Sequence, residues 1–255
     1  MPKPLFSTSV DGTHIAYDVT GCGPALMLLH GAGKTRQDWH RAGYVERLKD
    51  EFTVITVDLR GFGDSDWLLT PVDYKIEKIC EDLYGVADAC GVGRFAVWGF
   101  SLGGNIARYL GAWSDRVTAI AVIGVPFGPA VHAEFDRFID EFLIKWEHVI
   151  LAAREGDAPK SKSKIKGQIP MLAACAQGMR GWPDVEPAEV GCPVLLLTGT
   201  KNKSALGWVE ANRGVLDAAG VQVKVIVGLT HNQEFTRIDR VFPVVSSFLL
   251  RKSVQ

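Results

Sequence analysis

The residues whose types and spacing best fit covalent chemistry are at positions 99–103, where the sequence reads GFSLG. This G-x-S-x-G pattern follows a strand-like run, Phe95 to Trp98, and precedes a helix-like run, Asn105 to Trp113. A serine on a strained turn between a strand and a helix exposes its hydroxyl at the carboxyl edge of the sheet, where it can attack a substrate. We therefore predict that Ser101 is the nucleophile of an acyl transfer.

An acyl transfer also needs N–H donors placed where the oxyanion develops, an oxyanion hole. The backbone N–H of Leu102 qualifies because it directly follows the serine at a helix N-terminus, whose dipole favours negative charge. The sequence HGAG at positions 30–33, after a continuous apolar run, predicts the second donor at Ala32. We expect His30 to hold the shape of that loop, and the DLRGFGDS segment at 58–65 to brace neighbouring loops rather than react.

These positions need a framework that brings strand ends together. Apolar runs of strand length alternate with amphipathic helical patterns along most of the chain, which indicates a parallel sheet covered on both faces. The strand-like runs are 25–29, 52–57, 95–98, 117–123, 194–197 and 223–227, after a predicted hairpin within 5–20. Helical patterns occupy 76–90, 105–113, 206–219 and 235–250. Between 126 and 187 no strand is predicted, but helices are predicted at 132–154 and 169–180.

The motifs HGAG, DLRGFGDS and GFSLGG, in this order and spacing, resemble the α/β-hydrolase superfamily, in its form with a serine nucleophile and a small cap. The resemblance extends from about Leu5 to Leu250. It implies a single α/β domain, 1–255, with a mostly parallel, doubly wound sheet of about eight strands. It also implies that the strandless region, 126–187, is a helical cap inserted after the sixth strand.

The same resemblance implies a catalytic triad in the order nucleophile, acid, histidine. His231 follows the last predicted strand and fits the histidine, whose task is to take the Ser101 proton and return it to the leaving group. The acid is expected at Asn202, in the sequence GTKN at 199–202, and asparagine carries no charge. Three explanations remain open: an acid elsewhere, at Glu234 or in the cap at Glu134 or Asp136; a Ser-His-Asn triad of reduced power, which we favour narrowly; or a protein that has lost hydrolysis.

Serine at the nucleophile position argues against the dehalogenases and epoxide hydrolases of this superfamily, which need a carboxylate there. Ser101 with an oxyanion hole suits a serine esterase acting on an ester, thioester or lactone. Apolar cap residues, among them Phe135, Phe142 and Met179, predict a small to medium hydrophobic substrate. The alternative is a non-hydrolytic member of the fold, a ligand-binding protein or a cofactor-free lyase-like enzyme, and Asn202 is the residue that favours it.

The remaining features of the chain exclude several other classes. Its 255 residues are 47% hydrophobic with a formal net charge of −1, which gives no reason to expect nucleic acid or a membrane as a partner. The N-terminus lacks the pattern of a signal peptide, so we expect a cytoplasmic location and free thiols at the five cysteines. No metal-ligand spacing and no phosphate-binding or dinucleotide motif occurs, so we expect a small-molecule substrate and no cofactor or metal. The oligomeric state is not predicted.

Overall fold

The strands form one eight-stranded sheet in a computed structural model that describes residues 3–155 and 164–253. They are β1 Leu5–Thr8, β2 His14–Thr20, β3 Ala25–Leu29, β4 Thr53–Val57, β5 Phe95–Phe100, β6 Val117–Ile123, β7 Val194–Gly199 and β8 Gln222–Ile226. Their order across the sheet is β1-β2-β4-β3-β5-β6-β7-β8. Strands β3 to β8 pair in parallel, whereas β2 is antiparallel to both β1 and β4. The predicted mostly parallel α/β sheet is confirmed.

Helices occupy most of the connections between strands. They are α1 Arg36–Arg41, α2 Tyr44–Leu48, α3 Ile76–Ala89, α4 Leu102–Trp113, α5 Ala133–Arg154, α6 Lys164–Met179, α7 Lys203–Ala211, α8 Arg213–Ala218, α9 Gln233–Thr236 and α10 Ile238–Ser253. Two regions predicted as single helices are each divided in two, at Asn212 and at Arg237. The short helices α1 and α2 were not predicted.

The core is divided by the sheet into two apolar layers, because successive side chains of a strand point to opposite faces. In β3, Met27 and Leu29 face the layer that contains α3 and α4, while Leu26 and Leu28 face the layer that contains α1, α2 and α10. All four side chains are fully buried. Strands with both faces covered explain the continuous apolar runs of the sequence.

The segment between β6 and β7, which we call the cap, contains α5 and α6 but no strand among its described residues. His132 accepts a hydrogen bond from the Phe135 N–H and so caps the N-terminus of α5. On the described part of the chain, no helix is long and apolar enough to cross a membrane. The parallel strands end at a single edge of the sheet, and the loops at that edge carry the residues described next.

Candidate active site

Ser101 lies on a strained turn between β5 and α4. Its φ of 54° and ψ of −115° make it the one non-glycine residue with positive φ in the described chain. The turn is possible because its neighbours are glycines: a Cβ on Gly99 would lie 2.2 Å from the Gly103 carbonyl oxygen, and one on Gly103 would lie 2.2 Å from the Leu29 oxygen. Such strain is found at positions where a fold fixes a reactive group.

His231 is on the loop between β8 and α9 and faces the serine. Its Nε2 lies 3.0 Å from Ser101 Oγ, which is hydrogen-bonding distance. The imidazole stacks on the Phe100 ring, with centroids 5.1 Å apart and planes inclined by 22°. The stacking therefore holds the imidazole in an orientation that directs Nε2 at Ser101 Oγ.

The other nitrogen of this imidazole faces a buried carboxylate. Glu234 Oε2 lies 3.1 Å from His231 Nδ1, and the glutamate side chain is completely buried. His231 and Glu234 lie three residues apart on the turn that leads into α9, in which the Glu234 N–H donates to the Thr230 carbonyl oxygen at 3.0 Å, and residues three apart on such a turn lie on the same side. Glu234 Oε1 accepts hydrogen bonds from the Gly199 N–H at 2.6 Å and the Thr198 hydroxyl at 2.9 Å, both at the end of β7.

Asn202 joins the same cluster through its amide nitrogen. Nδ2 donates to the Gly124 carbonyl oxygen at 3.0 Å and lies 3.0 and 3.1 Å from the two oxygens of Glu234. It is 3.3 Å from His231 Nδ1. The amide oxygen is directed elsewhere, towards the Ala205 N–H at the start of α7.

This network determines how the His231 proton is shared. An amide nitrogen has no lone pair to accept with, so Asn202 as oriented cannot receive the Nδ1 proton of the histidine. Turning the amide over would place its oxygen against the Gly124 oxygen and the Glu234 carboxylate, with no proton between them. Glu234 is thus the acceptor for His231 Nδ1–H, which leaves the lone pair on Nε2 directed at Ser101.

Gly124 leaves room for this arrangement. Its φ is +82°, and a Cβ at this position would lie 2.6 Å from Glu234 Oε2 and 2.9 Å from His231 Nδ1. A residue with a side chain here would push the carboxylate and the imidazole out of register. The glycine after β6 is therefore part of what brings the two groups together.

Two residues that line the same cavity have backbone N–H groups without protein partners among the described residues. In the described part of the chain, neither the Ala32 N–H nor the Leu102 N–H donates to a protein acceptor, and both residues line the cavity at Ser101. The loop that carries Ala32 is fixed by His30, whose Nε2 accepts from the Leu59 N–H at 3.1 Å and whose Nδ1 donates to the Gly31 oxygen at 2.9 Å. Burial lowers the pKa of His30, so its ring serves here as a neutral hydrogen-bonding bridge.

The cavity at Ser101 has a volume of about 280 Å³ and a mostly apolar wall. That wall is formed by Val125, Pro126, Pro129, Ala130, Phe135 and Met179. A second apolar cavity of about 200 Å³ lies against the cap and shares Ala32, Phe135 and Met179 with the first. The two together can accommodate an apolar group next to the serine.

No cluster of three or more metal-ligating side chains occurs among the residues that the structure describes. The arrangement offers instead a hydroxyl, an imidazole, a buried carboxylate and two free N–H donors, which are the parts of an acyl-transfer site.

Comparison with known proteins shows the family to which the chain belongs. Residues 24–165 match the family model described as alpha/beta hydrolase fold. The chain belongs to the alpha/beta hydrolase fold family.

Among relatives within this superfamily, epoxide hydrolase 3 of Siraitia grosvenorii is 34% identical over 118 residues, 46% of this chain and 36% of that protein. Fluoroacetate dehalogenase of a Burkholderia species is 30% identical over 132 residues, 50% of this chain and 43% of that protein. The chain thus matches less than half the length of these curated relatives.

Solved structures match the whole alpha/beta hydrolase fold. A thermophilic esterase from Thermogutta terrifontis superposes with a TM-score of 0.74 at 27% identity, covering 99% of both chains. The bottromycin epimerase BotH superposes with a TM-score of 0.76 at 22% identity, covering 97% of this chain and 100% of its own. At that lower identity, only the fold is shared.

Within this fold, the predicted residues Ser101, His231 and Asn202 lie together. Asn202 approaches the His231 ring with its amide nitrogen, which is a donor. The third member of a triad must instead accept a hydrogen bond from the histidine. Of the alternative acids, Glu234 contacts the ring, whereas the Asp136 side chain is about half exposed and pairs with Arg180 at 2.6 Å. Glu134 is exposed. The sequence signal for Glu234 was a carboxylate one helical turn after the histidine.

Proposed function

We propose that this chain hydrolyses a carboxylic ester, thioester or lactone through an acyl-enzyme on Ser101. The observation that carries the proposal is the hydrogen-bonded chain from Ser101 Oγ to His231 Nε2, at 3.0 Å, and from His231 Nδ1 to Glu234, at 3.1 Å. The serine alcohol is a weak nucleophile unless a base removes its proton during attack. The tautomer that the network favours has its free lone pair on the nitrogen that faces the serine.

In the first half of the reaction, Ser101 Oγ bonds to the substrate carbonyl carbon while His231 Nε2 takes the hydroxyl proton. The carbonyl oxygen becomes an oxyanion that the Ala32 and Leu102 N–H groups stabilise. As the bond to the alcohol breaks, the imidazolium gives its proton to the leaving oxygen. In the second half, the oxygen of water bonds to the acyl carbon while His231 Nε2 takes a water proton. The bond from that carbon to Ser101 Oγ then breaks, His231 returns the proton to Oγ, and the carboxylic acid leaves.

Glu234 is the acid of this mechanism in place of Asn202. Its charge stabilises the imidazolium that forms when His231 takes the proton, which a neutral amide cannot do to the same extent. Asn202 contributes differently: its N–H group fixes the carboxylate and ties it to the loop after β6. Asn202 is thus a positioning residue, and the triad is Ser101, His231 and Glu234.

The relatives that act on epoxides or haloacids are less suitable guides, because their superfamily branch needs a carboxylate at the nucleophile position. The solved esterase structure, similar over its whole length, supports ester hydrolysis more closely. The apolar wall around the serine supports a substrate whose acyl or alcohol group is hydrophobic.

A fluorophosphonate probe and p-nitrophenyl butyrate test this proposal together. We expect the purified protein to be labelled and to hydrolyse the ester, and Ser101→Ala to lose labelling and to reduce kcat by roughly 10⁴-fold or more. A circular dichroism spectrum and a Tm that match the wild type are the control for folding. A wild-type protein that is neither labelled nor active on short and medium acyl esters would favour the non-hydrolytic alternative.

A further inference from the structure

Arg108 is a buried cation close to the active site that has no carboxylate partner. It lies on α4, seven residues after Ser101, and its side chain is fully buried. Its Nη1 donates to the Gly128 carbonyl oxygen at 2.9 Å, its Nη2 donates to Asn105 Oδ1 at 2.5 Å, and its Nε has no hydrogen-bond partner. No ion pair to Arg108 occurs in residues 3–155 and 164–253.

The positive charge persists at neutral pH. Burial lowers the pKa of Arg108 to about 10, while electrostatic interaction with Tyr109, Asp184 and Glu186 opposes that shift. Burying a cation without a carboxylate partner is costly in free energy, and only part of that cost is offset by the Tyr109 and Phe127 rings, whose centroids lie 5.9 and 5.6 Å from Arg108 Cζ. The hydrogen bond to Asn105 links this charge to the active-site cavity.

Asn105, which accepts the hydrogen bond from Arg108, is part of the wall of the cavity. It lies one helical turn after Ser101, is only 7% exposed, and lines the cavity. An arginine can only donate, so the oxygen of the Asn105 amide must face Arg108 and the nitrogen must face away from it. In the described chain no protein acceptor is bonded to that Nδ2.

The other polar side chains of the cavity wall have protein partners. His132 Nδ1 accepts from the Phe135 N–H, so its Nε2–H donates to Ser204 Oγ at 3.2 Å, which leaves Ser204 with a hydroxyl proton but no N–H to offer. Asn202 is held by Gly124 and Glu234. Apart from the reacting pair, Asn105 is therefore the side chain that presents a free N–H to a substrate. Its hydrogen bond from a guanidinium polarises the amide and makes that N–H a stronger donor.

We propose that Asn105, backed by Arg108, is a subsite for a second oxygen acceptor on the substrate, a ketone or carboxylate oxygen a few bonds from the scissile carbonyl. This proposal rests on the proposed ester hydrolysis at Ser101 and narrows its substrate class. A short spacing is expected because the Asn105 N–H donates to the Ser101 carbonyl oxygen at 2.9 Å and both residues line the same cavity. An anionic acceptor would also supply the counter-charge that Arg108 lacks.

Matched esters that differ by one oxygen function test the subsite. One pair is p-nitrophenyl 4-oxopentanoate and p-nitrophenyl pentanoate; the other is monoethyl glutarate and ethyl pentanoate. We expect kcat/KM of the wild type to favour the oxygen-bearing member of at least one pair by about 10- to 100-fold, the range of a charge-assisted hydrogen bond. Asn105→Leu should bring that ratio close to one.

Asn105→Asp is the matched variant, because it keeps an oxygen partner for Arg108, removes the donor and adds a negative charge. We expect it to abolish the preference for the ketone and to reverse the preference for the carboxylate through repulsion. If Asn105→Leu does not fold, this variant alone decides the proposal. Ratios near one in the wild type, or ratios that neither variant changes, would overturn it.

Binding to Ser101→Ala separates this proposal from the proposed hydrolysis. Calorimetry with ethyl 4-oxopentanoate, ethyl pentanoate and monoethyl glutarate measures affinity without turnover. Tighter binding of the oxygen-bearing esters that is lost in Ser101→Ala/Asn105→Leu supports the subsite even if the wild type hydrolyses no ester. Equal affinity for all three esters contradicts the subsite even if Ser101 proves to be the nucleophile.

Discussion

Two carboxylates are completely buried at the sheet edge, and they have different partners. Asp58 follows β4 and forms an ion pair with Arg36, which is itself 1% exposed; it also accepts hydrogen bonds from the Arg36 N–H and the Asp64 N–H. Glu234 follows β8 and accepts only from neutral protein donors and from His231. No lysine or arginine forms an ion pair with Glu234 in the described residues.

This difference in partners distinguishes Asp58, whose charge has a structural role, from Glu234, whose charge has a role in proton transfer. Arg36 is a permanent cation that Asp58 shares with Asp18 and Asp64, so Asp58 always has a cation beside it, and the pair fixes the loops after β3 and β4. Glu234 meets a cation only when His231 is protonated, which is the state that forms during the reaction. A buried carboxylate without a permanent counter-charge is therefore the one to associate with proton transfer.

The largest expected effect comes from Glu234→Gln. Glutamine keeps the size and one acceptor oxygen but removes the charge, so the imidazolium is less stable and the tautomer is no longer fixed. In a serine protease triad the corresponding change costs about 10⁴-fold in kcat, which is about 5 kcal/mol of barrier. We expect a loss of similar size in kcat for p-nitrophenyl butyrate.

The comparison with Asp58 would fail if Glu234→Gln lowered kcat by less than tenfold while the protein remained folded. Glu234 would then be a structural residue like Asp58. Labelling by the fluorophosphonate should slow in parallel with kcat, because both depend on activating Ser101.

Asp58→Asn is the matched substitution at the other carboxylate, and we expect it to act on stability. The introduced amide would lack the charge that balances Arg36 and would set an N–H group against existing donors. The loss should be about 3 kcal/mol, at the low end for a broken buried ion pair because Arg36 retains Asp18 and Asp64. Urea unfolding measures it as a lower midpoint.

The kcat of the folded Asp58→Asn protein is the control, and we expect it to stay within tenfold of the wild type. A stable Asp58→Asn protein with a kcat as low as that of Glu234→Gln would remove the distinction between the two carboxylates.

The sequence predicted the sheet well because burial on both faces leaves continuous apolar runs. Strands β3 and β6 have the predicted bounds, and the other parallel strands differ by at most two residues at an end. The helices α1 and α2 were missed because six- and five-residue helices are too short to show a helical period. The breaks at Asn212 and Arg237 were missed because the apolar pattern continues across them.

The placement of Ser101 and His231 at strand ends follows from local motifs, whereas the role of Glu234 depends on three separate segments. Its carboxylate is positioned by α9, by the end of β7 at Gly199, and by the absence of a side chain at Gly124. The sequence places these segments far apart and gives no sign of their distances. The sequence therefore shows clearly that position 202 has no acid, because it is Asn202. It shows much less clearly that Glu234 takes that role.

Asn202→Asp has the smallest expected effect, but its direction distinguishes two roles for position 202. If asparagine only weakened an ordinary triad, an aspartate here would raise turnover. Since Asn202 Nδ2 lies 3.0 Å from a Glu234 oxygen, the variant instead places two carboxylates together and removes a donor from both Glu234 and Gly124. We expect kcat/KM to fall by roughly tenfold, about 1.4 kcal/mol of barrier, and an increase in the rate would contradict the role given to Glu234.

Combining Asn202→Asp with Glu234→Gln exchanges the amide and the carboxylate within the cluster. The new aspartate would be within reach of His231 Nδ1, because Asn202 Nδ2 is 3.3 Å from it, and the glutamine could donate to that aspartate. We expect the double variant to be at least tenfold more active than Glu234→Gln alone, although Asn202→Asp by itself is harmful. This reversal of sign is a strong energetic coupling between neighbours. Additive losses would mean that His231 needs Glu234 at its own position and not simply one charge beside its ring.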